Sequence, residues 1–218
     1  MLSVTFDVLT AERPLWRGRM HSWAFFASIP AGVLLLLLAD GTTATIASAI
    51  YITTVLLAFG TSASYHRLAT SLRARRIMQR LDHSTIYLLI AGTYVPLCLV
   101  ALPPAWGVPL LVVVGIGATT GVVLKLVAFG KVSWLGNSLY PILGWGAVVA
   151  SPGLIRYLTP LQLILLASGG LLYTIGIPVL ARRRPDPWPR TFGYHEIWHS
   201  FTVLAAGLHF AAVAAVVA

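Results

Sequence analysis

The stretch Gly107–Val127, GVPLLVVVGIGATTGVVLKLV, decides the fold. It carries one charged residue, Lys125 near its end, and an α-helix needs about 20 apolar residues to cross the hydrocarbon core of a bilayer. Apolar side chains occupy every face instead of alternating, so a barrel strand does not fit. Six further runs of this kind flank it: His21–Leu38, Thr43–His66, Asp82–Ala101, Trp134–Ala150, Leu161–Leu180 and His195–Val217. Turn residues punctuate them at Asp40-Gly41, Pro103-Pro104 and Ser151-Pro152-Gly153. The expected architecture is all-α, a single polytopic bundle of seven transmembrane helices over residues 1–218, retaining its first helix. A signal-peptide cleavage at Ala47-Ser48-Ala49 would fall inside the second apolar run.

Composition points the same way. Of 218 residues, 58% are hydrophobic and 10% charged, against roughly 25% charged in a soluble domain. That excludes a soluble globule, a disordered chain and a fibre, and the single cysteine, Cys98, allows no intrachain disulfide. Seven helices use roughly 140 residues, which leaves no length for a separate soluble domain. The net charge of +9 is a topology signal. Arg13, Arg17, Arg19, Arg67, Arg73, Arg75, Arg76, Arg80, Lys125, Lys131, Arg182, Arg183, Arg184 and Arg190 fall on one side of the expected bundle, and Arg156 alone on the other. The positive-inside rule then puts the N-terminus in the cytoplasm and the C-terminus outside. These are short loop anchors without an aromatic-rich surface, so no nucleic-acid partner is expected.

Ionisable groups in apolar segments are costly and are functional candidates by default. Of six acidic residues, Asp7, Glu12, Asp40 and Asp186 lie in tails or loops, whereas Asp82 and Glu196 open apolar segments. Topology gathers the candidates: the second run ends at His66, the third starts at Asp82, and the seventh starts at His195 and His199, all at one end. His195 and His199 share a helix face about 6 Å apart along the axis, a spacing that suits two imidazoles on one ion. His66 can supply a third nitrogen, and three protein ligands with an open position is the pattern of a catalytic zinc site. The competing reading makes these histidines interfacial residues bonded to backbone or headgroups. Ser62, one turn before His66, either hydrogen-bonds water or substrate or serves as a small packing residue. Asp82 is either a carboxylate that orients a ligand or acts as a general base, or a helix N-cap. His83 is turned about 100° from Asp82 and faces elsewhere, and His209, about 15 Å beyond His199, makes a separate buried polar contact.

His195-Glu196-Ile197-Trp198-His199 matches the H-E-x-x-H of zinc proteases, in which the Glu is the general base. No acidic residue follows Glu196, and Ala205 stands where a metzincin places its third histidine. Glu196 is therefore expected to face the membrane interface, with a role in proton transfer as the alternative.

Taken together, Ser62-x-x-x-His66, Asp82-His83-Ser84-Thr85 with Tyr87, Ala91-Gly92-Thr93-Tyr94-x-Pro96, and Phe192-Gly193-Tyr194-His195-Glu196-Ile197-Trp198-His199 resemble the hemolysin III family. That is the bacterial branch of the progestin and adipoQ receptor (PAQR) superfamily, and the resemblance covers nearly the whole chain. It implies a Zn2+ cofactor held by His66, His195 and His199, with Asp82 contacting a water on the ion and the family's serine at Ser62. Relatives in the wider superfamily imply a ceramidase-like hydrolase. The receptor branch carries a long cytoplasmic extension where this chain has about 20 residues, so hormone binding is not carried over.

The resulting expectation is a multi-pass protein of the bacterial cytoplasmic membrane that uses zinc to hydrolyse a lipid amide or ester, with a membrane lipid as substrate. One alternative is a non-enzymatic lytic or membrane-homeostasis protein with a structural zinc. A receptor or transporter is the other. The seventh segment has no lysine for a retinal Schiff base, an inside N-terminus disfavours a G-protein-coupled receptor, and a transporter would place its polar groups near mid-membrane.

Overall fold

The computed structural model describes residues 13–130 and 133–218; Lys131 of the basic set and the tail acids Asp7 and Glu12 lie outside the described residues. The described residues are 84% helical. Its helices are α1 Arg19–Leu38, α2 Gly41–Arg67, α3 Leu72–Pro96, α4 Pro104–Val127, α5 Ser133–Gly144, α6 Ser151–Tyr157, α7 Pro160–Arg182 and α8 Tyr194–Val217. A π-helical turn, Leu97–Ala101, prolongs α3, and a 3-10 turn, Gly146–Ala150, joins α5 to α6. Among the described residues, seven spans are long and apolar enough to cross a membrane, the fifth being α5 through α6. Large apolar side chains such as Val113, Ile116, Val149 and Ile155 point outward. That suits a lipid surround, where apolar exposure carries no cost.

Neighbouring helices pack in order, and α8 closes the bundle against α7, α1, α2 and α3. The largest core cluster lies where α1, α2 and α8 meet, around Leu35, Tyr51, Ile52, Val55, Phe59, Ala206 and Val213. Close approach of α2 and α3 depends on Gly92, where a Cβ would collide with the Thr54 side chain.

Two boundaries differ from the sequence expectation. α3 starts at Leu72, ten residues before the expected Asp82, and is capped by Ser71, whose hydroxyl accepts from the Ala74 amide. Asp82 is therefore not an N-cap but sits near the third turn. Hydropathy marks the part of a helix that lies in lipid, and the Arg-rich first turns of α3 extend past it. Ser151-Pro152-Gly153 is not a turn but the start of α6, because Pro in the first helical turn lacks only an amide the helix leaves unpaired. The actual break comes earlier, between α5 and the 3-10 turn. There the Tyr94 hydroxyl donates to the Leu143 carbonyl at 2.8 Å and accepts from the Ala147 amide at 2.8 Å. Backbone groups freed inside a membrane need such partners. Tyr140 likewise donates to the His83 carbonyl at 2.8 Å, and Tyr87 to that of Gly136.

Candidate metal centre

Three helix ends and the third turn of α3 meet at one end of the bundle. α2 brings Ser62 and His66 in its last two turns, α8 brings His195 and His199 in its first two, α3 brings Asp82, and α1 starts beside them with His21. Helical spacing does the local work: Ser62 and His66 lie one turn apart on one face, as do His195 and His199.

The three expected ligands converge. His66, His195 and His199 each offer a ligand nitrogen, and these atoms lie within 4.8 Å of one another. The Nε2 atoms of His66 and His195 are 3.2 Å apart, close to the about 3.3 Å that separates two nitrogens on one tetrahedral zinc with bonds of 2.0–2.1 Å. His66 and His199 are buried and His195 is half-buried. His199 Nδ1 is buried with no hydrogen-bond partner among the described residues. Leaving such an atom unpaired costs about 1–3 kcal/mol, and it belongs to a ring that offers one of the three ligand nitrogens. Three neutral imidazoles also form a donor set that zinc accepts. On these grounds the residues fit a metal ion.

Around the ligands lies a polar network. Asp82 Oδ2 is 4.0 Å from His66 Nε2, and Ser62 lies beside the same carboxylate. His21 stacks on His199, with ring centroids 3.7 Å apart and planes 8° from parallel. Its Nδ1 is 2.8 Å from Ser62 Oγ and its Nε2 is 3.0 Å from Thr202 Oγ1. The Thr202 hydroxyl gives its one proton to the His199 carbonyl at 2.9 Å. Ser62 thus links His21 to Asp82. The topological rule that gathers His66, Asp82, His195 and His199 applies equally to His21, which opens the first span at the same end. It had no sequence-spaced partner to draw attention to it.

Glu196 does not face the membrane interface. It is fully buried; Oε1 accepts from Arg17 Nε at 2.5 Å and Oε2 accepts from the Gly193 amide at 2.9 Å. With both oxygens engaged, it is not placed to serve as a protease base. The partner that buries it, Arg17, is 179 residues away in sequence, and no spacing pattern could reveal that. His83 turns away from the cluster, with Nδ1 2.8 Å from the Gln79 carbonyl and its ring against Phe129. His209 donates to the Leu166 carbonyl at 3.2 Å, apart from the cluster.

Comparison with known proteins gives a consistent picture. A family model described as "Haemolysin-III related" matches residues 9–210. A protein of Bacillus subtilis (strain 168) named "Hemolysin-3 homolog" is 33% identical over 199 residues, covering 90% of each chain. "Hemolysin-3" of Bacillus cereus is 31% identical over 193 residues, covering 87% of this chain and 85% of its own.

Proposed function

The chain belongs to the haemolysin III-related family, and from that premise we propose that it is a zinc-dependent hydrolase that cleaves a lipid amide or ester from within the membrane. The observation that carries this reading is the gathering of three histidines able to ligate one ion, with Asp82 beside them, at one end of the bundle. His66, His195 and His199 would hold the ion, and three protein ligands leave a coordination position for chemistry. Zinc there supplies Lewis acidity, which acidifies water and polarises a carbonyl.

The remaining steps belong to the protein's own groups. Asp82, 4.0 Å from His66, is placed to take a proton from the attacking water and return it to the leaving amine or alcohol. The Ser62 hydroxyl hydrogen-bonds the reacting carbonyl or holds Asp82 in place. His21 fixes Ser62 through Nδ1 and steadies the His199 ring by stacking on it. The acyl chain would lie among the helices, with the scissile bond at the depth of the cluster.

The orientation belongs to the same proposal: N-terminus in the cytoplasm, ligand cluster at the cytoplasmic end, in a bacterial inner membrane. Supporting it, Arg13 reaches the end of α2, Arg80 bonds the Leu126 carbonyl at the end of α4, and Leu15 bonds Arg190 in the loop before α8. The basic loops thus share one end of the molecule.

A second reading follows from the relatives' names, which are those of hemolysins: a lytic or homeostatic protein in which the metal ties α2 to α8. Asp82→Ala separates the two. The hydrolase reading expects this variant to keep one zinc per chain and lose turnover of a lipid amide or ester by about 10²–10⁴-fold, measured as released fatty acid in reconstituted vesicles. A structural zinc predicts no lipid product from either protein.

A further inference from the structure

Residues Arg13–Gly18, which lead into the first span, lie across the ends of the two helices that carry the ligands. We infer that this segment is a strap that sets the geometry of the metal centre, with Arg17 as a positioning residue acting through Glu196. The inference rests on the metal-centre reading above.

The ligands come from two separate helix ends, and the strap bonds both. At the end of α2, Arg13 donates from Nη1 to the carbonyl of His66 itself at 2.7 Å and from Nη2 to that of Ala69 at 2.8 Å. The His66 carbonyl is of the kind a helix terminus leaves free. Gly18, at φ +76°, brings the chain so close to α2 that a Cβ would press on the His66 Cβ. At the start of α8, the Leu15 amide donates to Arg190 at 3.0 Å and the Trp16 amide to Thr191 at 3.1 Å, while Trp16 sets its ring edge to Phe192. Arg17 then reaches Glu196, the residue between His195 and Ile197 in the ligand-bearing turns. Glu196 is wholly buried and also holds the Gly193 amide at the helix start.

This arrangement makes Arg17 more than a surface anchor. A buried carboxylate is tolerated where a cation accompanies it, and removing one member strands the other. Without Arg17, Glu196 must turn toward water, and the first turn of α8, with His195 before it and His199 after it, must shift with it. The convergence of three nitrogens from α2 and α8 therefore depends on a contact made by neither helix alone.

The test is a cobalt(II) titration of the purified full chain in detergent, with a competing chelator and the d–d absorption band as readout. The thermal midpoint of the metal-free protein serves as the fold control. Arg17→Ala is expected to fold yet bind cobalt 10–100-fold more weakly, the range for residues that orient metal ligands, with an altered d–d band. Arg17→Lys keeps the charge but not the planar fork, and is expected to lose less, about threefold to tenfold. Should Arg17→Ala not fold, Arg17→Lys decides by the same criteria. Wild-type affinity and spectrum in the folded variants, with only the thermal midpoint lowered, would overturn the strap. A wild-type protein that binds neither cobalt nor zinc would overturn the metal centre, and this inference with it.

Discussion

The two halves of α8 bury histidines in opposite ways. Near its middle, His209 is matched by one partner: its Nε2 donates to the Leu166 carbonyl across α7, and its ring packs near Tyr173. In its first turns, His199 is crowded by three other imidazoles, stacked on His21 and set against His66 and His195, and its Nδ1 has no partner among the described residues. The residue type is the same, but His209 is half-buried and bonded, whereas His199 is buried with a ring nitrogen unpaired. A polar group satisfied by its own protein is holding the fold together, whereas ligand-type nitrogens gathered at one point, one ring among them with an unpaired nitrogen, mark a place for a ligand.

This contrast can be broken by exchanging the expected effects. The largest should come from His199→Ala, which removes one of three ligands and is expected to lower metal affinity by more than 100-fold, read by elemental analysis after dialysis. His21→Phe should come next. It keeps a ring against His199 but drops the hydrogen bonds to Ser62 and Thr202, and is expected to weaken cobalt binding by about tenfold. The smallest effect belongs to His209→Leu, which loses a single hydrogen bond. That change is expected to cost about 1 kcal/mol of stability in thermal denaturation and to leave metal content unchanged. Metal loss on changing His209, or retention on changing His199, would erase the distinction between the two halves.

Hydropathy makes the spans legible because the membrane demands long apolar runs, and the ends of those runs put His66, His195 and His199 at one level. The same signal is blind outside lipid. It missed the first ten residues of α3, where Arg73, Arg75, Arg76 and Arg80 keep the helix going, and so made Asp82 resemble a cap. It took Ser151-Pro152-Gly153 for a turn because Pro and Gly punctuate both loops and helix starts. Glu196 was unreadable for a different reason. A carboxylate at the edge of an apolar run faces water unless a cation comes to it, and Arg17 comes from the far end of the chain. His21 was readable in principle, by the topology argument alone, yet its role as stacking partner and link to Ser62 depends on side-chain positions that only the packed helices define.

The central claim is that this end of the bundle is a metal site, and the most direct measurement is the zinc content of the purified wild-type chain. Zinc is to be measured by elemental analysis against protein concentration, after exchange into metal-free detergent buffer. One zinc per chain is the predicted result. A folded protein that carries no zinc, and takes up none when it is supplied, would contradict the account.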